Sequence, residues 1–236
     1  MTAAERDTGV WPASRTPIRR AAIGLGLYAA AFGASFGAVS VGSGLSVGQT
    51  MVLSLVMFSG ASQFAFVGVA TAGSPYAAIA PALLLGVRNA FYGVPMSEIL
   101  HPRGVRRLVT AHFVIDETTA MAVGQSERRA QRYAFWATGL ILCLLWQLGS
   151  LAGALVGSAV DPDAFGLDAA APAIFLALLW PRLLTAEARV VAVAGAAVAL
   201  VLVPLAPAGV PVIAAAGVAV AAGVRRPSAG SGGGES

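Results

Sequence analysis

The chain has 236 residues, of which 57% are hydrophobic and only 11% charged, against roughly 25% charged in a soluble domain. Its mean hydropathy of +0.78, carried in long unbroken apolar runs, excludes a soluble globular domain and points to an all-α integral membrane protein. All fifteen basic residues are Arg, and they cluster between apolar runs rather than along one face, which argues against a nucleic-acid partner.

Residues 1–20 carry Arg15, Arg19 and Arg20 and are expected as a cytoplasmic N-terminal segment. The apolar run Ala21–Val41 is too long for the roughly 7–15-residue core of a cleaved signal peptide and reads as a retained first transmembrane helix. Within it, Gly33 and Gly37 form a small-xxx-small pair suited to close helix approach. Further apolar segments run over Val47–Ala70, Pro75–Val94, Leu108–Val123, Tyr133–Val160, Ala170–Leu184, Ala186–Leu205 and Val210–Val224. A simple span needs about 20 apolar residues, so the fourth, sixth and eighth segments are short and the fifth is long enough to tilt. The expectation is roughly seven to eight transmembrane or re-entrant helical segments in one polytopic membrane domain, 21–224. A flexible Gly- and Ser-rich tail, 225–236, follows. No internal repeat is evident. Cys143, inside an apolar run, excludes an internal disulfide and reads as packing.

Charge asymmetry tests this count. The clusters Arg15/Arg19/Arg20, Arg103/Arg106/Arg107, Arg128/Arg129/Arg132, Arg182/Arg189 and Arg225/Arg226 all prefer the cytoplasm, and the acidic loop Asp161–Asp168 the outside. Three full crossings before Arg103 would put that cluster outside. The conflict disappears if one of the second and third segments, and also the fourth, is re-entrant or broken at mid-membrane. The fourth is the better candidate, because His112, Asp116 and Glu117 make it a poor lipid-facing helix. Broken helices at mid-membrane are how many transporters build substrate sites.

Charge inside apolar stretches marks the candidate site, since an ionised group in hydrocarbon persists only if paired, hydrated or functional. Three constellations stand out. In Phe58-Ser-Gly-Ala-Ser-Gln-Phe64, Ser59 and Gln63 share a helical face with Ser62 close by, and Gly60 and Ala61 expose backbone. Neutral polar groups of this kind suit an amino-acid head group, or simply join helices. In Val87-Arg-Asn-Ala-Phe-Tyr-Gly93, the guanidinium fork of Arg88 suits a carboxylate, from a substrate or an internal acid, with Asn89 and Tyr92 beside it. The third is His112 with Asp116-Glu117-Thr118-Thr119. His112 and Asp116, four apart, are expected on one helical face. The acids suit a substrate ammonium or a proton carried during transport, and an ion pair with Arg88 is the structural alternative. No zinc-protease helix, nucleophile elbow, P-loop or dinucleotide fingerprint occurs, so neither an enzyme nor an ATP-driven pump is expected, and no cofactor or metal.

In this order and spacing the three constellations, with Ile115-Asp-Glu-Thr-Thr-Ala120 in the third, resemble the AzlC-type branched-chain amino acid permease family. Phe32-Gly-Ala-Ser-Phe-Gly37 and Pro172-Ala-Ile-Phe-Leu-Ala-Leu178 add to the resemblance, which runs from about Ile23 to Val224. It implies the large subunit of a two-part exporter of branched-chain and related hydrophobic amino acids such as valine. A small AzlD-type membrane subunit would be the partner and the cytoplasmic (inner) membrane the location. Where family members often carry Arg-His, this chain has Arg88-Asn89, a departure that bears on any proton role for the residue after the arginine and leaves the arginine in place. A zwitterion with an aliphatic side chain matches Arg88 for its carboxylate and Asp116 or Glu117 for its ammonium. Phe64 and Phe91 would take the side chain, with Ser59, Ser62, Gln63, Asn89 and Tyr92 around them. Proton antiport through Asp116, Glu117 and His112 is the expected coupling. A channel or transporter for another small solute, or a non-transporting scaffold, fits the same residues.

Overall fold

Apolar helices in a bilayer gain nothing by hiding apolar surface from lipid, so they associate where small side chains let backbones touch. In the computed structural model, which describes residues 10–73, 75–159, 176, 179–180, 183–207 and 209–224, that contact joins α1 (Val10–Gly42) to a later helix of similar length, Arg128–Ala159. A Cβ at Gly153 would fall 1.8 Å from the Ala34 carbonyl oxygen, and one at Gly37 2.0 Å from that of Ser150. Only glycine fits there. The pairs Ala30 with Gly149, Ala34 with Gly153 and Ala38 with Gly157 advance together, so the two helices are parallel. Arg15, 5.4 Å above the Tyr133 ring, extends the register to their N-terminal ends.

Between these parallel helices lie α2 (Val47–Val56), α3 (Gly60–Ala72), α4 (Pro75–Leu100), α5 (Arg106–His112) and α6 (Asp116–Val123), and the later helix is α7. Only α1, α4 and α7 among the described helices are long and apolar enough to cross a membrane. The direction of α4 is opposite to that of α7. Its last carbonyls, of Glu98 and Ile99, accept from Arg128 Nη1 at 2.5 Å and Arg132 Nε at 2.9 Å, at the start of α7.

The second apolar segment is not one helix. Helix α2 starts where α1 ends, with Ser46 and Gln49 forming a reciprocal capping box. It descends until the Ser54 hydroxyl accepts from Trp146 Nε1 at 3.1 Å, then breaks across Met57–Ser59. Helix α3 climbs back past Trp146 at Gly60 and Phe36 at Phe64, ending with Val69 near Gly209. The pair α2–α3 is therefore a re-entrant hairpin from the face where α1 ends. The fourth segment breaks as expected. Helix α5 rises from the Arg103 cluster to Phe113, whose ring lies against Gly139. Helix α6 returns to pack Ala122 with Met96, Ile99 and Phe135. A long helix followed by a half-depth hairpin thus occurs twice, as α1–α2–α3 and α4–α5–α6, in opposite orientations.

This resolves the charge conflict. The Arg103 cluster lies at the same face as the starts of α1 and α7, because both intervening hairpins turn back. The breaks are tolerable at membrane depth because side chains satisfy the freed backbone. Gln63 Nε2 and Gln147 Nε2 donate to the Ser54 carbonyl at 3.3 and 3.1 Å, and Gln63 also donates to the Met57 carbonyl. In the second hairpin the Thr118 hydroxyl donates to the Phe113 carbonyl at 2.7 Å and accepts from the Ile115 amide at 3.1 Å.

A second unit, α8 (Ala186–Leu202) and α9 (Val210–Val224), forms an antiparallel pair with Gly195 against Ala215. Its turn at Gly209, φ +95°, rests on the Ala77 carbonyl, 2.7 Å from where a Cβ would stand. The expected loop Asp161–Asp168, most of the segment Ala170–Leu184, and the tail 225–236 lie outside the described residues.

Candidate functional site

The local sequence places charge at a helix start. Helix α6 begins at the break, with Ile115 extended at φ −132°, ψ 172°, so Asp116 and Glu117 occupy its first turn. Carboxylates are favoured there by the helix dipole. Across from them, α4 carries Arg88 at about its middle. Arg88 Nη2 lies 3.6 Å from Asp116 Oδ1, and each side chain is 37% exposed. The expected pairing of Arg88 with an internal acid is therefore present. The distance exceeds that of an N–H···O hydrogen bond, so the two ions are neighbours rather than a locked fork.

Several buried polar atoms have no hydrogen-bond partner among the described residues. They include Arg88 Nε and Asn89 Oδ1 on α4, Thr119 Oγ1 on α6 and, in the first hairpin, Gln63 Oε1. One donor and several acceptors are thus left over where buried polar groups are nearly always satisfied. The first hairpin reaches this level through Ser62, whose hydroxyl donates to Ser59 Oγ at 3.2 Å and lies 3.6 Å from where a Cβ on Gly86 of α4 would stand.

Other expected site residues are engaged in packing or in bracing the hairpins, or point outward. Phe64 is 1% exposed and sits in the main core with its ring edge-on to Phe36 at 5.6 Å, so it holds α3 to α1 rather than facing a solute. Phe91 is 71% exposed on α4. Tyr92 packs beside the Met96–Ile99–Phe135 cluster. His112 and Asp116 do not share a helical face, because the Phe113–Ile115 break separates them. The His112 ring instead stacks on Phe58, 5.6 Å between centroids, and meets Phe113 edge-on at 5.4 Å. Gln63 spends its amide nitrogen on the α2 carbonyls, leaving only its oxygen for another partner.

The residues that the sequence reading missed are those that brace the first hairpin. Ser54, Trp146, Gln147 and Ser150 form a buried polar seam between α2 and α7. Gln147, a polar residue in an otherwise apolar stretch of α7, was the available signal.

Comparison with known proteins supplies the family. The family model described as AzlC protein matches residues 24–160, the stretch that holds α1, both hairpins, α4 and nearly all of α7. A protein of Archaeoglobus fulgidus is 33% identical over 171 residues, 70% of this chain and 74% of its own length. One of Helicobacter pylori is 28% identical over 149 residues, 62% of this chain and 65% of its own length, so the chain spans just under two thirds of that relative. Both are described as uncharacterized membrane proteins. No solved structure matches the chain. The chain belongs to the AzlC family of membrane proteins.

Proposed function

We propose that the protein is the large subunit of a secondary transporter that exports branched-chain and related hydrophobic amino acids, valine among them. The observation that carries this reading is the Arg88–Asp116 pair at the junction of α4 with a broken helix, with buried, unpartnered polar atoms on the same two helices at Arg88 Nε, Asn89 Oδ1 and Thr119 Oγ1. Such an arrangement fits a zwitterion. The carboxylate would go to the Arg88 guanidinium and Nε, the ammonium to Asp116 or Glu117 with Asn89 Oδ1 or Gln63 Oε1. The hydroxyls of Ser59 and Ser62 complete the polar wall on the first hairpin. Asp116 and Glu117 are also the groups proposed to carry the coupling proton in antiport. His112, whose ring is held between Phe58 and Phe113, is left out of that role.

The Arg-bearing face is assigned to the cytoplasm, because Arg clusters are retained there during insertion. The membrane is then the cytoplasmic one. A small AzlD-type subunit is proposed as partner, covering the apolar outer face of the domain. Export of accumulated valine from cells fed a valine-containing dipeptide tests the reading. Expression of the chain with its small subunit is expected to lower the internal valine plateau, and an unchanged plateau would refute it.

A further inference from the structure

Neither hairpin crosses the membrane, and the two meet tip to tip. Phe58, at the turn of α2–α3, stacks on the His112 imidazole with planes 24° apart and meets the Phe113 ring at 5.8 Å. Phe113 continues the contact to Trp136 of α7 at 5.7 Å. Beside these rings Val114 and Ile115 are 5% and 6% exposed. The result is a thin apolar layer with hydroxyl-bearing helices on both sides. Ser54, Ser59 and Ser62 belong to the hairpin above it, Thr110 and Thr118 to the hairpin below.

The way each hairpin is held differs from the way they hold each other. The first is tied to α7 by hydrogen bonds from Trp146 and Gln147 to Ser54. The second is tied within itself by Thr118 and stands against α7 at Gly139. Between the tips the contacts are ring on ring, which lack the directionality of hydrogen bonds and can part without stranding a polar group. Backbone out of helical form at membrane depth is tolerated where it is buried in protein or lines a watery cavity. Both breaks can therefore move between those two environments.

We propose that the Phe58–His112–Phe113 junction is the gate of this transporter, closed in this conformation. In contact, the rings separate the half-pathway entered from the α2–α3 face from the half-pathway entered from the Arg-bearing face. The Arg88 and Asp116 side chains are already 37% exposed, so parting the tips, one hairpin at a time, changes which half-pathway reaches them. The two oppositely oriented hairpins make the two openings equivalent movements. The proposal deepens the transport reading above and rests on it for what passes the gate, though not for where the barrier stands.

The test uses Phe58→Cys and His112→Cys, singly and together, in a Cys143→Ala background, with the full chain co-expressed with its small subunit in vesicles. A short bifunctional thiol reagent with a reducible bridge is applied to the double variant. Cross-linking should form, cut valine counterflow at least tenfold, and reduction should restore it. Absence of the cross-link, or a cross-link with undiminished counterflow, would overturn the gate. The single variants are then treated with an impermeant thiol reagent from each face. Phe58→Cys should react only from the face opposite the Arg clusters and His112→Cys only from the Arg-bearing face, and labelling of both from one face would overturn the barrier's position. Labelling does not depend on the solute carried. If the unmodified protein moves no valine, or if the double variant is inactive before cross-linking, labelling alone decides the gate. Failure of valine transport counts against the proposed substrate only.

Discussion

Arg88 and Asp116 stand 3.6 Å apart, each side chain 37% exposed, on two elements that the chain brings together only because α6 starts at a break. A pair so loosely joined can exchange each partner for a substrate group at little cost in desolvation. Arg88→Lys keeps the charge and loses the planar fork, so it should reduce transport while leaving the fold intact. The expected loss is about ten- to a hundredfold, the worth of a charged hydrogen bond of about 1.5–3 kcal/mol. Arg88→Met combined with Asp116→Leu should fold and still not transport. Valine counterflow at matched expression checks both, and wild-type flux in the double variant would make the pair structural.

Gln63 of α3 donates to the carbonyls of Ser54, in α2, and of Met57, just beyond its end. Gln63→Leu keeps the volume and removes both bonds; the Ser54 carbonyl still accepts from Gln147 Nε2 and the Met57 carbonyl from the Ser59 amide, so the cost is that of the lost bonds alone, about 0.5–1.5 kcal/mol each. The melting temperature in mild detergent should fall, and the first hairpin should become more accessible to protease. An unchanged melting temperature would mean that water replaces the amide.

Glycine substitutions should divide sharply by position. Gly153→Ala drives a methyl into the Ala34 carbonyl and must separate α1 from α7, with a loss of about 1–3 kcal/mol or more. Gly24→Ala and Gly68→Ala meet nothing within 4 Å, and in a helix should be neutral or stabilising by about 0.5–1 kcal/mol. Thermal stability of the three purified variants is the readout.

The re-entrant topology predicts which loops share a face. With Cys143→Ala as background, Ala72→Cys, the exposed last residue of α3, should react with an impermeant thiol reagent added to intact cells. Ser126→Cys, between α6 and α7, should not. Reaction of both, or of Ser126→Cys alone, would contradict the hairpins or the cytoplasmic assignment of the Arg-bearing face.

What the sequence disclosed follows from physics that is local. Apolar length located α8 and α9 nearly to their ends but stopped short of the Leu100 end of α4 and the Arg128 start of α7, and the cost of burying Asp116 and Glu117 marked the fourth segment as broken. The facing of Arg88 and Asp116 was legible as charge compensation. Charge asymmetry called for a break in the second or the third segment without deciding between them, because Met57-Phe58-Ser59 is as apolar as a continuous helix and its freed carbonyls are satisfied from afar, by Gln147 across α7. The same distant break misled the placing of His112, since a spacing of four fixes a shared face only where the helix is unbroken. Phe64 and Phe91 are alike in the sequence and opposite in the structure, one buried and one exposed, because helix phase alone does not say which side meets protein. The opposed hairpins escaped notice because they match in placement and not in residues.

The most direct measurement is valine export from dipeptide-fed cells by the wild-type chain and by Asp116→Asn and Glu117→Gln, each with the small subunit and at equal expression. The wild type should hold internal valine low, against a gradient. At least one of the two acid variants should lose uphill export while keeping downhill exchange in vesicles. Wild-type export by both variants, and by Arg88→Ala as well, would show that the charges between the hairpins serve the fold and that the transported solute passes elsewhere.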